Sequence, residues 1–534
     1  MKLYNISALI ICGALFVACS DNAYDPGEPN PGRPAEDYAV DKNVNINPSV
    51  TYQTIAGFSA SDAWQCAWVG RDWTNSRQGI ADLLFSQEIE NGQPKGIGLS
   101  MWRVNLGGGS AEIGDASGIT TVHRRAESYI GADGKTLDWT KCQGQRFFME
   151  QARKAGVEKF VFFSNCPPVQ WTYNGQGRSD RGEHSNLMPS KYPAFANYMA
   201  DVARHFVDEG YNISHISPIN EPMVYWDGHD QEGTAWTVSE SAKLARELDR
   251  ALTERNLDTQ ILLAENDRWD YLNGDRDWSG KTDIASHYWT EGDEAYIGDL
   301  RHAPRLFGAH SYWTDTDWNG MREVRAKAAA KANQFGLELW QTEWCMLGDE
   351  HNSDEYSGHG SATDMERALY MTRVIHNDLT VANVSSWSYW VAIDGRDMHN
   401  NRWLLIFLDM AGGSKGSVFD GEGSYAPSLN LWALGNFSRF IRPGFKRIDL
   451  ETAESRNFFG SAYISPDGKS IVAVYSNFSQ KPVRINTSID GGFTASTVHS
   501  YTTSTSKSLQ EATVTDTGSI LLDPQSVTTI VYNL

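Results

Sequence analysis

The feature that most constrains the fold is an alternation, sustained from about residue 52 to residue 440, of short apolar runs with amphipathic stretches of helical period. The apolar runs fall at 54–58, 98–105, 159–164, 213–219, 259–264, 306–310, 337–342 and 384–390. Between them, 241–252 sets Leu244, Leu248 and Leu252 four apart, and 364–376 opens on a cap and carries Met365, Leu369 and Met371. Strands that alternate with helices pack as a parallel sheet covered by helices, and eight of them predict an α/β fold of the (β/α)8 TIM-barrel type. A doubly wound sheet satisfies the same alternation. However, Gly107-Gly108-Gly109 follows a strand without the dinucleotide spacing, and no other glycine-rich loop opens a helix. Nucleotides are therefore discounted.

After Pro443 the helical period disappears. Segments 471–475, 483–487 and 527–532 are β-branched, closely spaced and separated by Gly, Asn, Asp and Ser, which predicts a small antiparallel β-sandwich. Residues before the barrel supply one or more of its strands, tying the two parts into one unit. The expected organisation is a leader over 1–19, a Pro/Gly-rich acidic tether over 20–41, a joining strand within 42–53, the barrel over 54–442 and the sandwich over 443–534.

Two of the apolar runs end in glutamate. ISHISPINE closes on Glu221, flanked by Asn220 and Pro222, and LELWQTE closes on Glu343, followed by Trp344. A barrel presents its functional groups at the C-terminal ends of its strands, so the fourth and seventh strands would carry carboxylates at one rim. A single strand-end glutamate is ordinarily an ion-pair partner. Two brought close are the minimal equipment for cutting an acetal, which needs an acid on the leaving oxygen and negative charge beneath the anomeric carbon. Glu265, ending the fifth run, is a third rim carboxylate, read here as a substrate ligand or salt-bridge partner and not as catalytic.

Composition fits a carbohydrate ligand. Aromatic residues make up 12% of the chain, with 19 Trp and 22 Tyr, and aromatic faces stack on sugar rings. Trp171, Trp226, Trp313 and Trp390 follow or end strands, and Asp62 and Trp64 follow the first. Each is a candidate sugar contact, and each ring suits the core equally well. A net charge of −21 argues against nucleic acid as a partner. Cys66, Cys142, Cys166 and Cys345 lack metal-ligand spacing, leaving disulfides or buried thiols. Acid and nucleophile suffice for the chemistry, so no cofactor and no metal is implied.

The N-terminus reads as a targeting segment: Lys2, then an apolar stretch over 6–18 too short to span a membrane comfortably. Phe16-Val17-Ala18-Cys19 resembles a bacterial lipoprotein signal in which the cysteine becomes the lipidated first residue; Phe16 stands where Leu is usual. The Ser20-Asp21-Asn22 that follows resembles export signals of surface lipoproteins of gut Bacteroidota. The expectation is an exported protein, anchored to the outer membrane through Cys19 and facing the cell surface or the periplasm.

At the level of motifs the chain resembles glycoside hydrolase family 30, over nearly the whole mature length. The resemblance rests on Ile55-Ala56-Gly57-Phe58, Trp102 to Gly109 (WRVNLGGG), Phe163 to Pro168 (FSNCPP), Ser217 to Pro222 (SPINEP), His310-Ser311-Tyr312 and Trp340 to Glu343 (WQTE). It implies a retaining glycoside hydrolase with Glu221 as general acid/base and Glu343 as nucleophile. Asn220 would bond the sugar 2-hydroxyl, and Arg103 would keep the nucleophile ionised and oriented. His310 and Tyr312 would contact nucleophile and substrate. GGGSAEIGDASGI (107–119) and HRRAESY (123–129) look most like the family's endo-β-1,6-galactanase branch, acting on arabinogalactan side chains. Other branches cleave β-1,6-glucan or glucuronoxylan, and Arg124 and Arg125 leave a uronate pocket open. An exo-acting glycosidase and a non-catalytic surface lipoprotein that captures glycans are the competing readings.

Overall fold

The computed structural model describes residues 39–347, 362–395 and 404–534. The leader and nearly all of the expected tether lie outside the described residues. Among those described, no helix is long and apolar enough to cross a membrane.

Eight parallel strands, the fifth of them in two pieces, form two arcs. One runs Gly57–Ala60, Ser386–Tyr389, Glu338–Glu343, Leu306–His310 and Ala264–Asn266; the other runs Met101–Asn105, Lys159–Phe163, Ile213–Ser217 and Gln260–Ile261. The fifth strand is split, so its two pieces serve one arc each. At the other seam, the Ser100 N–H donates to the Phe58 carbonyl (3.1 Å) and the Asp62 N–H to the Arg103 carbonyl (3.0 Å). Met101, Val161, Leu306 and Trp340, from four different strands, and Leu262, from the break in the fifth, form a small apolar cluster of their own inside the arcs. Because strand side chains alternate, that cluster fixes which residues point inward further along each strand.

The helices outside the arcs follow their sequence periods. Val238–Glu254 buries Leu244, Leu248 and Leu252, and Asp364–Thr380 buries Met365, Leu369 and Met371. Both begin with a capping box, Thr237 with Glu240 and Thr363 with Glu366, which satisfies N–H groups that no helical carbonyl reaches. Leu429–Ser438 is apolar all round and buried from Asn430 onward, as such a helix must be.

The C-terminal part packs one core between the two ends of its sheet, and differs from the expectation of purely antiparallel pairing. It is a continuous nine-stranded sheet, and one of its pairings is parallel: Val40–Thr54 runs antiparallel to Lys446–Thr452 but parallel to Val483–Ile489. A strand arriving from the far end of the chain needs no hairpin to join its neighbours, so neither direction is imposed on it. That strand begins at Val40, inside the segment read as tether. A further small sheet, Ile393–Gly395 with Ile406–Asp409 and Ser424–Pro427, lies outside the eight runs read as strands, although Leu404 to Leu408 (LLIFL) is itself an apolar run.

Candidate active site

Arg103 is the centre of the site. Met101 lies in the inner cluster, so period two turns Arg103 inward as well, and it is 2% exposed. A guanidinium that deep needs opposite charge and acceptors around it. Its Nη1 donates to Glu343 Oε2 (2.6 Å), and Nη2 donates to Asn220 Oδ1 and Glu265 Oε2 (both 3.0 Å). The guanidinium carbon lies 3.7 Å from the centre of the Phe163 ring.

The three glutamates reach this point by departures from regular backbone. Trp340 faces the inner cluster, so strict alternation would send Glu343 outward. The register slips between the Ala309–Gln341 and His310–Glu343 pairs, and the extra residue turns Glu343 in. Glu221 lies four residues beyond its strand, which ends at Ser217, and has left-handed backbone (φ +43°). The expectation that it ends the strand is corrected accordingly. Its N–H donates to the carbonyl of Glu265 (3.0 Å), itself at φ +56°. Left-handed backbone is costly for residues other than glycine and recurs where a site over-determines it.

His310 bridges the carboxylates. Its Nδ1 lies 2.9 Å from Glu221 Oε1 and 3.7 Å from Glu343 Oε1, and its Nε2 lies 3.2 Å from Glu265 Oε2. Burial disfavours the imidazolium, but Glu343, Glu221 and Glu265 more than offset this and push its pKa up to about 10. Burial likewise works against the Glu265 charge, yet Arg103 and His310 hold it below the ordinary carboxylate range. For Glu343 burial, reinforced by Glu221, outweighs the pull of His310 and Arg103, so its pKa stands above the ordinary carboxylate range. The Tyr312 hydroxyl donates to Glu343 Oε1 at 3.0 Å. Two cations thus face three carboxylates, and the cluster is neutral when it holds one extra proton. One ligand atom each from Glu221, His310 and Glu343 lies within 4.8 Å of the other two, a spacing that could hold a cation. Arg103 and an imidazolium already occupy that electrostatic role.

The other sequence candidates divide. Trp390 and Trp64 meet edge to face (5.1 Å), Trp390 also meets Phe163 (6.2 Å), and the Arg124 guanidinium lies over Trp64 at 4.2 Å. These rings form a wall beside Arg103. Asp62 is buried, with Oδ1 taken by the Asn105 N–H and Oδ2 by the Gln145 amide, and burial pushes its pKa up to about 7. Its oxygens are committed inside the protein. Trp171 is not brought to the cluster; it packs edge-on against Tyr198 of the helix Tyr192–Asp208. Trp226 donates its indole N–H to the carbonyl of Glu221 (3.2 Å) and so braces that turn. Trp313, half-buried at φ +61°, follows Tyr312. The four cysteines outside the leader are buried free thiols.

Two acids escaped the sequence reading. Asp267, just past the fifth strand, has a pKa pushed up to about 7 by burial and by Glu221. Glu232 is buried and accepts from the N–H groups of Gly108 (2.8 Å) and Ser110 (3.0 Å). It thereby pins the loop in which Gly109 adopts φ +89°. It sits in a polar loop without period, and nothing local marks it.

The model of O-glycosyl hydrolase family 30 matches residues 41–402, about two thirds of the chain. The protein belongs to this family. A glycoside hydrolase fits both the match and the acid cluster. Among curated relatives of this family member, an endo-β-1,6-galactanase of Hypocrea rufa is 25% identical over 436 residues, 78% of each chain. A glucuronoxylanase of Bacillus subtilis (strain 168) is 24% identical over 517 residues, 94% of each. A conserved exported protein from Bacteroides fragilis is similar in structure with a TM-score of 0.84 at 31% identity, covering 92% of this chain and all of its own. The catalytic domain of a family 30 xylanase from Talaromyces cellulolyticus shares the fold, with a TM-score of 0.64 at 23% identity over 92% of this chain and all of its own.

Proposed function

We propose that this family 30 hydrolase is an endo-acting, retaining β-glycanase whose preferred substrate is β-1,6-galactan. The two parallel arcs are read as a closed (β/α)8 barrel carrying the site at its C-terminal rim. The observation that carries the mechanism is the approach of Glu221 and Glu343, with carboxylate oxygens within 4.8 Å of each other. That spacing suits a carboxylate attacking the sugar directly and leaves no room for the water that an inverting enzyme places between its acids.

The division of roles follows from the partners of each carboxylate. Glu343, which accepts from Arg103 on one oxygen and from Tyr312 on the other, is assigned as the nucleophile, and as a carboxylate it attacks the anomeric carbon to form a glycosyl ester. Glu221 shares only the imidazolium. It donates its proton to the departing oxygen, then as a carboxylate takes a proton from the water that cleaves the ester. Asn220 gives its amide oxygen to Arg103, which leaves its NH₂ to donate to the sugar 2-hydroxyl. His310 and Tyr312 hold the two carboxylates in place, and Trp64 and Trp390 wall the pocket. Asp62 acts by positioning Asn105, and Trp171 belongs to a more distant part of the cleft.

Galactan is favoured by the motifs at 107–119 and 123–129 and by the galactanase relative; the glucuronoxylanase relative keeps xylan as the second reading. Purified protein should release galactose oligomers of retained configuration from β-1,6-galactan. Glu343→Gln should lose about 10⁴-fold or more in kcat. Glu221→Ala should lose roughly 10²–10⁴-fold and regain turnover of activated aryl glycosides with azide, as a glycosyl azide of retained configuration. An inverted product defeats the mechanism. Cleavage of xylan or glucan instead moves only the substrate, and binding of polymer without cleavage favours the glycan-capture reading.

We also propose export and lipidation at Cys19. The leader motif and the exported Bacteroides fragilis relative support this. Cys19→Ala should release the protein from the membrane fraction, and an unchanged distribution overturns it.

A further inference from the structure

Among the described residues, Trp278 is the one exposed tryptophan, at 44%. A single exposed ring is ordinary on a protein surface, but this one is held rigidly and paired with a second. Ser279 and Gly280 both adopt left-handed backbone (φ +53° and +77°), the two-residue turn that joins paired strands tightly, and Trp278 and Lys281 form the bridge on either side. The Gly280 N–H is further bound by Asp277 Oδ1 (2.9 Å).

This hairpin is anchored to the turn that carries Glu221. The buried Lys281 donates its ammonium to the carbonyl of Pro222 at 2.7 Å. Ser279 Oγ lies 3.3 Å from the hydroxyl of Tyr225, whose ring is 6.0 Å from that of Trp278 and tilted by 54° to it. Tyr225 itself lies within a tight turn, because the Val224 N–H and the Trp226 indole both donate to the carbonyl of Glu221. Two aromatic faces are thus fixed, half-open to solvent, one turn away from the candidate proton donor. They come from the loops after the fourth and fifth strands, whereas Trp64, Trp390 and Phe163 come from the first, eighth and third.

We propose that Trp278 and Tyr225 form a stacking platform for a pyranose unit on the leaving-group side of the cleft. The assignment rests on the reading of Glu221 as acid. The acid faces the oxygen that departs, so rings fixed beside it contact the half of the glycan that leaves. An open, V-shaped pair of faces suits an internal unit of a chain, which has to continue out of the site in both directions. The platform therefore favours endo action on a polymer, and binds it through the apolar face of a sugar without a charged contact.

The test compares the full-length wild type, Trp278→Ala, Trp278→Phe and Tyr225→Ala on whichever of β-1,6-galactan, β-1,6-glucan and glucuronoxylan the wild type cleaves, and on an aryl β-glycoside of the matching sugar. Trp278→Ala should lower kcat/KM on the polymer by roughly tenfold, mostly through KM, and shift the products toward different lengths. Hydrolysis of the aryl glycoside should stay within about twofold, since its leaving group is a single ring that does not reach the hairpin. Trp278→Phe should recover most of the loss. Titration of Glu343→Gln with oligosaccharides from the same polymer should quench tryptophan fluorescence, and Trp278→Ala in that background should abolish much of the signal. Unchanged polymer kinetics and product lengths in Trp278→Ala overturn the platform while leaving the hydrolase reading intact. Equal losses on polymer and aryl glycoside also overturn it, because they indicate a structural role. A wild type that cleaves none of the polymers overturns both.

Discussion

His310 shows how a single residue couples the electrostatics of the site to the stability of the molecule. Its imidazole is fully buried between Glu221 and Glu265, and its pKa stands at about 10 against an ordinary 6.5. The folded state therefore retains a proton that the unfolded chain releases. Stability from this group is fully present below about pH 6.5 and is lost as pH rises through about 10. The folding free energy should fall by up to ~1.4 kcal/mol per pH unit across that window. Urea midpoints measured from neutral to alkaline pH should fall in the wild type and stay nearly level in His310→Gln. Parallel curves for the two proteins would show that the extra proton resides elsewhere.

At the scale of elements, the helix Trp318–Phe335 is held to the helix Asp364–Thr380 by a buried ion pair. Arg325 Nε donates to Asp378 Oδ1 at 2.6 Å, with both side chains inaccessible to solvent. Asp378 also accepts from the Trp387 indole (2.9 Å) and from Ser311 Oγ, so one carboxylate locks two helices to the strand Ser386–Tyr389 and to the segment after Leu306–His310. Arg325→Met preserves much of the volume but leaves the aspartate without its cation. Removing one member of a buried pair typically costs about 3–5 kcal/mol. The variant should lose that much in denaturant unfolding, and Arg325→Met/Asp378→Leu should recover part of it. A loss below about 1 kcal/mol would mean that water reaches the pair.

At the scale of the whole molecule, the nine-stranded sheet is not detachable. The Asn436 amide, on the buried helix Leu429–Ser438, donates to the Tyr501 carbonyl and to Thr529 Oγ1 (both 2.9 Å), and Thr529 Oγ1 donates back to the Asn436 carbonyl (2.6 Å). Thr372 and Ser476 join across the same boundary (2.9 Å). The strand Val40–Thr54 ties the start of the chain into that sheet. Full-length protein should therefore unfold in one cooperative transition, and a chain ending at residue 442 should fail to yield soluble folded protein. Two resolved transitions, or an active truncated protein, would show that the parts fold independently.

The periods in the sequence determined much of this architecture on their own. All eight parallel strands were legible as apolar runs, and two of the long helices as apolar residues on a helical period, because burial on a regular element repeats at the period of that element. Glu221 and Glu343 were legible because each closes such a run, and Asn220 and Arg103 through the motifs that resemble the family. What the tertiary structure alone decided is how those residues meet. The slip that turns Glu343 inward and the left-handed backbone at Glu221 and Glu265 break the local period, so no pattern announces them. Glu265, left open as sugar ligand or salt-bridge partner, is ion-paired through Oε2 with Arg103 and His310. Glu232, Asp267 and the parallel docking of Val40–Thr54 depend on segments far apart in the chain. Periodicity records which face of an element is buried; it carries no record of what an irregular loop touches, and there the long-range contacts decide.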